Sequence, residues 1–410
     1  MQRKTGHSLA AAILLFTLLT ACSTNSEIGT SSENLTAPPV EGNGSAPTLE
    51  AAASPKYQPS GVLVSPTDET SLFVYSPSAE FIASLETPGV MVNDPATIHI
   101  AGSMSAGGST PPLVYRSWEP EQAIMVNENG IVNPLRNTTT FLALSGAAGQ
   151  PVLAFSEVTI DDNLPHSFLY AENLDALSEA TPFYDLRDEY THMALMPVAV
   201  NAAAGNPEGV WYTLTAWGIG GADLIYPITR GLYYYDLNSN ENLQYLEPDR
   251  NFQGISFDMQ LAGSVAFDSK GDRSMNVTNL TSGQSTAFPL KGSSDRGAGY
   301  AVFSHDNQYA AWLEASGSLI DEPVSYRSLV CIANLNNAAV EHEVEDTNIA
   351  QLLGIDRISF MKSVGWLDGQ TVLIEVRGEN WGQVQLVSYN LTDDTLSFFC
   401  EGSFAGLIYP

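Results

Sequence analysis

Basic residues are scarce in this 410-residue chain: 16 Lys and Arg stand against 46 Asp and Glu, for a formal net charge of −30. No Lys/Arg cluster is visible, which argues against a nucleic-acid partner, because neutralising a phosphate backbone needs clustered cations. Anionic lipid headgroups would be repelled for the same reason. Cysteine is scarce too, with three residues at positions 22, 331 and 400. Cys331 in SLVCIANL and Cys400 in LSFFCEG sit in separate apolar runs and read as unpaired core thiols, with a disulfide between them as the alternative. No apolar run is long enough to span a bilayer. The longest candidate, residues 9–19, would reach about 17 Å as a helix against a hydrocarbon core of about 30 Å. Catalytic and cofactor signatures are missing as well. There is no G-x-S-x-G, and the glycine-rich stretch from Gly102 to Gly107 lacks the lysine of a phosphate loop. Gly218-Ile219-Gly220-Gly221 opens no helix. His99, His166, His192, His305 and His342 are dispersed, and no transition-metal or EF-hand spacing occurs. No catalytic residue, metal site or cofactor is assigned, and Ca²⁺ has no motif behind it.

Arg3 and Lys4 precede the short apolar segment, and Leu19-Thr20-Ala21-Cys22 closes it. This order fits a cleaved leader. The run L-T-A-C resembles the lipobox of bacterial lipoproteins. The resemblance implies cleavage before Cys22, acylation of Cys22 with chains such as palmitate, and attachment to the extracytoplasmic side of a membrane, the outer membrane where one exists. At about 0.8 kcal/mol per buried methylene, several acyl chains suffice as an anchor. Residues 22–56 are rich in Ser, Thr, Asn, Gly and Pro and read as a disordered tether.

From residue 57 to 410 the chain turns to short β-rich runs broken by Gly, Asn, Asp, Ser and Pro, which sets the class as all-β. A strand ending in Asx-Leu recurs as AENL, YYDL, VTNL, IANL and SYNL, ending at Leu174, Leu237, Leu280, Leu335 and Leu391. The Asx side chain can start a turn while the leucine packs between sheets. Near-periodic four-strand units point to a β-propeller. AVFSHDNQYAAWLE (301–314) and SVGWLDGQTVLIEV (363–376) resemble the F-S-P-D-G-K-x-x-A-W pattern of TolB-type and WD-repeat-like propellers, with His305 and Asn307 departing from its Pro and Gly. The count is seven blades, with six or eight as alternatives, and the units fall near 96–137, 140–187, 192–247, 253–290, 298–345 and 358–401. Strands near 61–64, 72–75 and 80–85 lack an inner partner. A C-terminal strand within 403–409 can supply it and close the ring, removing exposed edges. No amphipathic helix is expected.

In such a meander the B–C and D–A connections share one face. The longest insertions, near 159–166, 217–230 and 315–327, together with 377–382, fall between B and C. Functional residues concentrate in loops longer than a hairpin needs, so Trp217, Tyr226, Arg230, Tyr326, Arg327, Arg377 and Trp381 become candidate ligand contacts. The leading expectation is a monomeric, membrane-anchored, extracytoplasmic propeller that binds a protein, peptide or glycan without catalysis. Two alternatives stay open: a surface hydrolase or lyase that gathers carboxylates at the central channel, and a structural component of an envelope complex. Inward-facing carboxylates would favour the enzyme, and an aromatic rim the binder.

Overall fold

A computed structural model describes residues 58–66, 71–87, 98–100, 113–117, 122–126, 132–137, 140–144, 152–161, 164–173, 176, 180–187, 193–203, 205–216, 226–267, 273–291, 296–317, 325–379 and 383–409. The leader and tether expected over residues 1–56, including Cys22, lie outside them, as do Trp217 and Trp381.

Short β-rich runs form strands throughout the described residues. The first three are β1 (Gly61–Ser65), β2 (Ser71–Tyr75) and β3 (Phe81–Glu86). Then follow β4 (Ile98–Ile100), β5 (Leu113–Ser117), β6 (Gln122–Val126) and β7 (Val132–Asn137). The third group is β8 (Phe141–Leu144), β9 (Val152–Asp161), β10 (Leu164–Asn173) and β11 (Tyr184–Arg187). The fourth is β12 (Met193–Ala203), β13 (Asn206–Ala216), β14 (Thr229–Asp236) and β15 (Glu241–Leu246). The fifth is β16 (Asn251–Ile255), β17 (Leu261–Phe267), β18 (Arg273–Asn279) and β19 (Ser285–Pro289). The sixth is β20 (Gly297–Phe303), β21 (Tyr309–Ser316), β22 (Arg327–Asn334) and β23 (Ala339–Glu345), and the seventh is β24 (Ile358–Trp366), β25 (Thr371–Gly378), β26 (Val384–Asn390) and β27 (Thr395–Glu401). The last strand, β28 (Ser403–Ile408), returns to β1 and pairs antiparallel to it from Gly61 with Ile408 to Ser65 with Ser403. Seven four-stranded antiparallel sheets result, in the meander order of a β-propeller.

Successive sheets share buried apolar clusters, which is what holds the ring. Leu63, Leu72 and Val74 of the first sheet pack with Ile124 of the second, and Val114 of the second with Leu142, Leu153 and Phe155 of the third. The sixth and seventh sheets share the cluster of Leu313, Ile332, Met361, Trp366 and Ile374. The seventh returns to the first through Leu373, Leu386 and Phe399 against Val62 and Val64. Strand β28 serves both sides of that junction, with Ile408 toward the second sheet and Phe404 and Leu407 toward the seventh.

The Asx-Leu repeat has the physical role its chemistry suggests. Asp236, Asn279, Asn334 and Asn390 accept, through their side-chain Oδ1, the backbone N–H two residues ahead at 2.8, 3.0, 3.0 and 2.9 Å. Asn173 accepts the N–H three residues ahead, from Ala176, at 3.1 Å. The following leucines then donate their N–H to the preceding turn of the same sheet: Leu237 to Glu208, Leu280 to Gln260, Leu335 to Gln308 and Leu391 to Gln370, at 2.8–2.9 Å. The four pairs at Leu237, Leu280, Leu335 and Leu391 therefore each start one turn and tie it to the preceding one.

One helix departs from the all-strand expectation. Between the sixth and seventh sheets, α1 (Asp346–Leu353) buries Ile349 and Ala350 and ends at Gly354 with φ of +66°. Two turns are too few to show a clear helical period in sequence, and a left-handed glycine is what terminates them. Cys331 and Cys400 are free and buried. Burial raises both thiols, Cys400 to about 12.

Candidate functional site

The inner strands β16, β20, β24 and β28 enclose a cavity of about 390 Å³ on the channel side of the fifth, sixth, seventh and first sheets. Small residues let these strands converge. A Cβ on Gly254 would stand 2.0 Å from the Ala301 carbonyl oxygen, and one on Gly365 would stand 2.9 Å from Leu407 Cδ1. The wall is mainly backbone and apolar side chains, and no Asp or Glu is among its lining residues.

At the end carrying the A–B turns, Phe257, His305 and Tyr409 form an aromatic mouth. Phe257 is 40% exposed, its ring 4.5 Å from that of Tyr409, and Tyr409 meets His305 edge to face at 5.2 Å. Two matching turns hold this mouth. In Ser304-His305-Asp306-Asn307-Gln308, Ser304 Oγ bonds Asp306 Oδ1 at 2.7 Å and accepts the Tyr309 N–H. In Ser256-Phe257-Asp258-Met259-Gln260, Ser256 Oγ bonds Asp258 Oδ1 at 2.7 Å and accepts the Leu261 N–H. Asn307 Nδ2 donates to Asp258 Oδ2 at 2.7 Å and links the two turns. His305 Nε2 lies 3.1 Å from the Trp366 carbonyl, and burial lowers its pKa, keeping the ring neutral.

Deeper in, Lys362 lies 3.5 Å from Glu375 Oε1, with its ammonium 5.8 Å from the centre of the Tyr300 ring. Arg377 Nη2 is also 3.5 Å from that oxygen, while Glu375 Oε2 accepts the Phe404 N–H at 2.9 Å. Glu375 is 1% exposed and sits on β25, behind the channel wall. Two cations against one carboxylate offset the cost of burying it. Burial, with the Glu375 charge nearby, pushes the Tyr300 phenol up to about 12, so it keeps its proton.

The residues expected at the loop-rich rim have different surroundings. Tyr226 crosses from the fourth sheet to the sixth, where its hydroxyl donates to the Gly297 carbonyl at 2.8 Å. Its ring occupies the space that a Cβ on Gly297 or Gly299 would need, and the Pro227 carbonyl accepts Gln253 Nε2 at 3.3 Å. Burial raises its phenol above the ordinary value. Tyr326 is buried at the start of β22, its phenol pushed up to about 12 by burial. Arg377 is held at Glu375. Arg230 and Arg327 are exposed, and Arg327 Nη1 donates to the Tyr326 carbonyl at 2.7 Å. The neighbouring carboxylates Asp393 and Asp394 cap a turn, with Asp394 Oδ1 accepting the Tyr389 hydroxyl at 2.7 Å and lying 2.9 Å from His342 Nδ1. Among the described residues no cluster of three His, Cys, Asp or Glu is arranged to hold a metal.

Sequence reading did not pick out Phe257, Lys362 or Tyr409 and left His305 among the dispersed histidines. A signal for the mouth is visible: ISFDMQL (255–261) repeats the frame of FSHDNQY (303–309). Lys362 has no such marker, because the Lys362–Glu375–Arg377 group forms only when adjacent strands pair.

No family model matches the sequence, and no curated relative does. Among solved structures, the chain resembles a puromycin-hydrolysing peptidase from Mycobacterium tuberculosis at 12% identity and a TM-score of 0.51, covering 86% of this chain and 54% of that one. A prolyl endopeptidase matches at 7% identity and a TM-score of 0.52, covering 87% and 52%. TolB from Acinetobacter baumannii matches at 11% identity and a TM-score of 0.39, covering 70% and 63%. The chain thus spans between half and two thirds of the length of these structures. At such identities the likeness is one of fold, and the fold is that of a β-propeller.

Proposed function

We propose that this chain is a lipid-anchored, extracytoplasmic propeller that binds a protein, peptide or glycan at the aromatic mouth of its channel, without catalysis. The observation that carries the reading is the cavity wall: apolar and aromatic surface with a few polar groups and no lining carboxylate. That composition suits recognition. Paired carboxylates, which hydrolysis of a glycosidic bond uses, are missing from this wall. The lipobox-like Leu19-Thr20-Ala21-Cys22 supports the anchor. The rim opposite the mouth contributes less, since Tyr226, Tyr326 and Arg377 spend their polar groups or their surface on the fold.

The test begins with peptide and glycan arrays probed with the folded protein. Affinities of the strongest ligand are then compared between wild type and Phe257→Ala, and between wild type and Arg327→Ala. Truncating a contact aromatic costs about 2 kcal/mol, roughly thirtyfold in affinity, when it is a true anchor. Phe257→Ala is expected to weaken binding by that order and Arg327→Ala to leave it unchanged, with the ligand recovered intact. Cleavage of the ligand, or loss confined to Arg327→Ala, would overturn the reading.

A further inference from the structure

The overall charge of −30 makes an anionic ligand look unfavourable, but the cavity has the opposite local character. Lys362 is the one cationic residue lining it, among the described residues, and no lining residue is acidic. Its side chain is 15% exposed and shares Glu375 with Arg377, so one carboxylate balances two cations and the group keeps a net positive charge. At 3.5 Å the Lys362 contact to Glu375 Oε1 is an ion pair without a hydrogen bond. Two other polar side chains of the wall are committed elsewhere. Ser363 Oγ donates to the Tyr300 carbonyl at 2.6 Å, and Gln253 bonds the Pro227 carbonyl and the Tyr300 N–H. A charge within a cleft of low-dielectric walls acts more strongly than one on the surface.

We infer that the channel receives the carboxylate end of a ligand with an apolar body, a peptide C-terminus or a small carboxylic acid, with Lys362 as its counter-ion and the packed Phe257–Tyr409 pair against the body. The inference rests on the binding reading above and gives it a ligand chemistry. Cavity size agrees: about 390 Å³ is in the range that takes a small ligand or the end of a chain. Tyr300 and His305 agree as well, since burial keeps the first protonated and the second neutral, and neither adds a negative charge.

The test passes a randomised hexapeptide pool with free C-termini, and the same pool amidated, over the immobilised full chain and reads retained peptides by mass spectrometry. A pool of N-acetyl amino acids forms a third arm. Wild type is expected to retain free termini at least about tenfold over amides, a difference of about 1.4 kcal/mol. The preference should vanish in Lys362→Met and persist in Lys362→Arg. Retention of the N-acetyl amino acids with the same Lys362 dependence would assign the site to small carboxylic acids, and retention of the peptides alone to chain termini; either agrees with the inference. Equal retention of free and amidated pools, or a preference that survives Lys362→Met, would overturn the inference and leave the binding reading standing. Retention of nothing in any arm would overturn both. If Lys362→Met does not fold, the amide comparison in wild type and Lys362→Arg still decides.

Discussion

Removing residues 403–410 should unfold the molecule, because β28 belongs to two apolar junctions at once. Ile408 is fully buried against Leu63 and Leu72, and Phe404 and Leu407 pack beside Val62 and Val64. Fully burying an aliphatic or aromatic side chain contributes about 1.5–3 kcal/mol. Loss of one buried and two partly buried side chains, with wetting of Val62, Leu63 and Val64, therefore removes on the order of 6 kcal/mol. That is comparable with the whole stability of a domain, about 5–15 kcal/mol. The truncation also takes away the Phe404 N–H that satisfies buried Glu375. Ile408→Ala is the graded form and should cost about 2–5 kcal/mol as a large-to-small change in a core. Urea unfolding followed by circular dichroism reads both. The truncated chain should lose its cooperative transition, and Ile408→Ala should shift the midpoint without altering the slope. A truncated chain with the wild-type midpoint would refute the argument that β28 closes the ring.

Three other outcomes follow from named residues. Metabolic fatty-acid labelling should mark the wild type and not Cys22→Ala, which should leave the membrane fraction; equal labelling would remove the anchor from the account. In Gly299→Ala, the new Cβ would fall 2.5 Å from Tyr226 Cδ1, so we expect about 1–3 kcal/mol of destabilisation and faster hydrogen exchange in residues 226–231; unchanged exchange would mean that the crossing does not depend on that glycine. Burial lowers the His305 pKa below its ordinary 6.5, so below that pH the unfolded chain takes up a proton that the folded chain still refuses, and stability falls with falling pH. The wild-type minus His305→Gln difference in unfolding free energy should follow this trend, and a flat difference from pH 7 down to pH 4 would contradict it.

Much of the fold was legible because its signals are local. Asx-Leu at the strand ends, apolar alternation and the unpaired strands at 61–86 each depend on a few adjacent residues, and β1 to β3 with β28 assemble as that reading requires. Helix α1 was not legible, being two turns long. The site was legible only in part. Long insertions drew attention to the B–C rim, where Tyr226 instead spans to Gly297 and Gly299. That contact joins residues about seventy positions apart and leaves no periodic trace. Lys362, Glu375 and Arg377 meet because β24 and β25 pair Lys362 with Glu375 directly, a register that spacing alone does not specify.

The central claim is that ligand enters the channel from the side bearing the A–B turns. A crystal structure with the strongest free-carboxylate peptide selected above tests it most directly. The account predicts ligand density against the Phe257–Tyr409 pair, with a carboxylate oxygen about 3 Å from Lys362 Nζ. Density confined to the opposite rim, around Arg230 and Arg327, would contradict it.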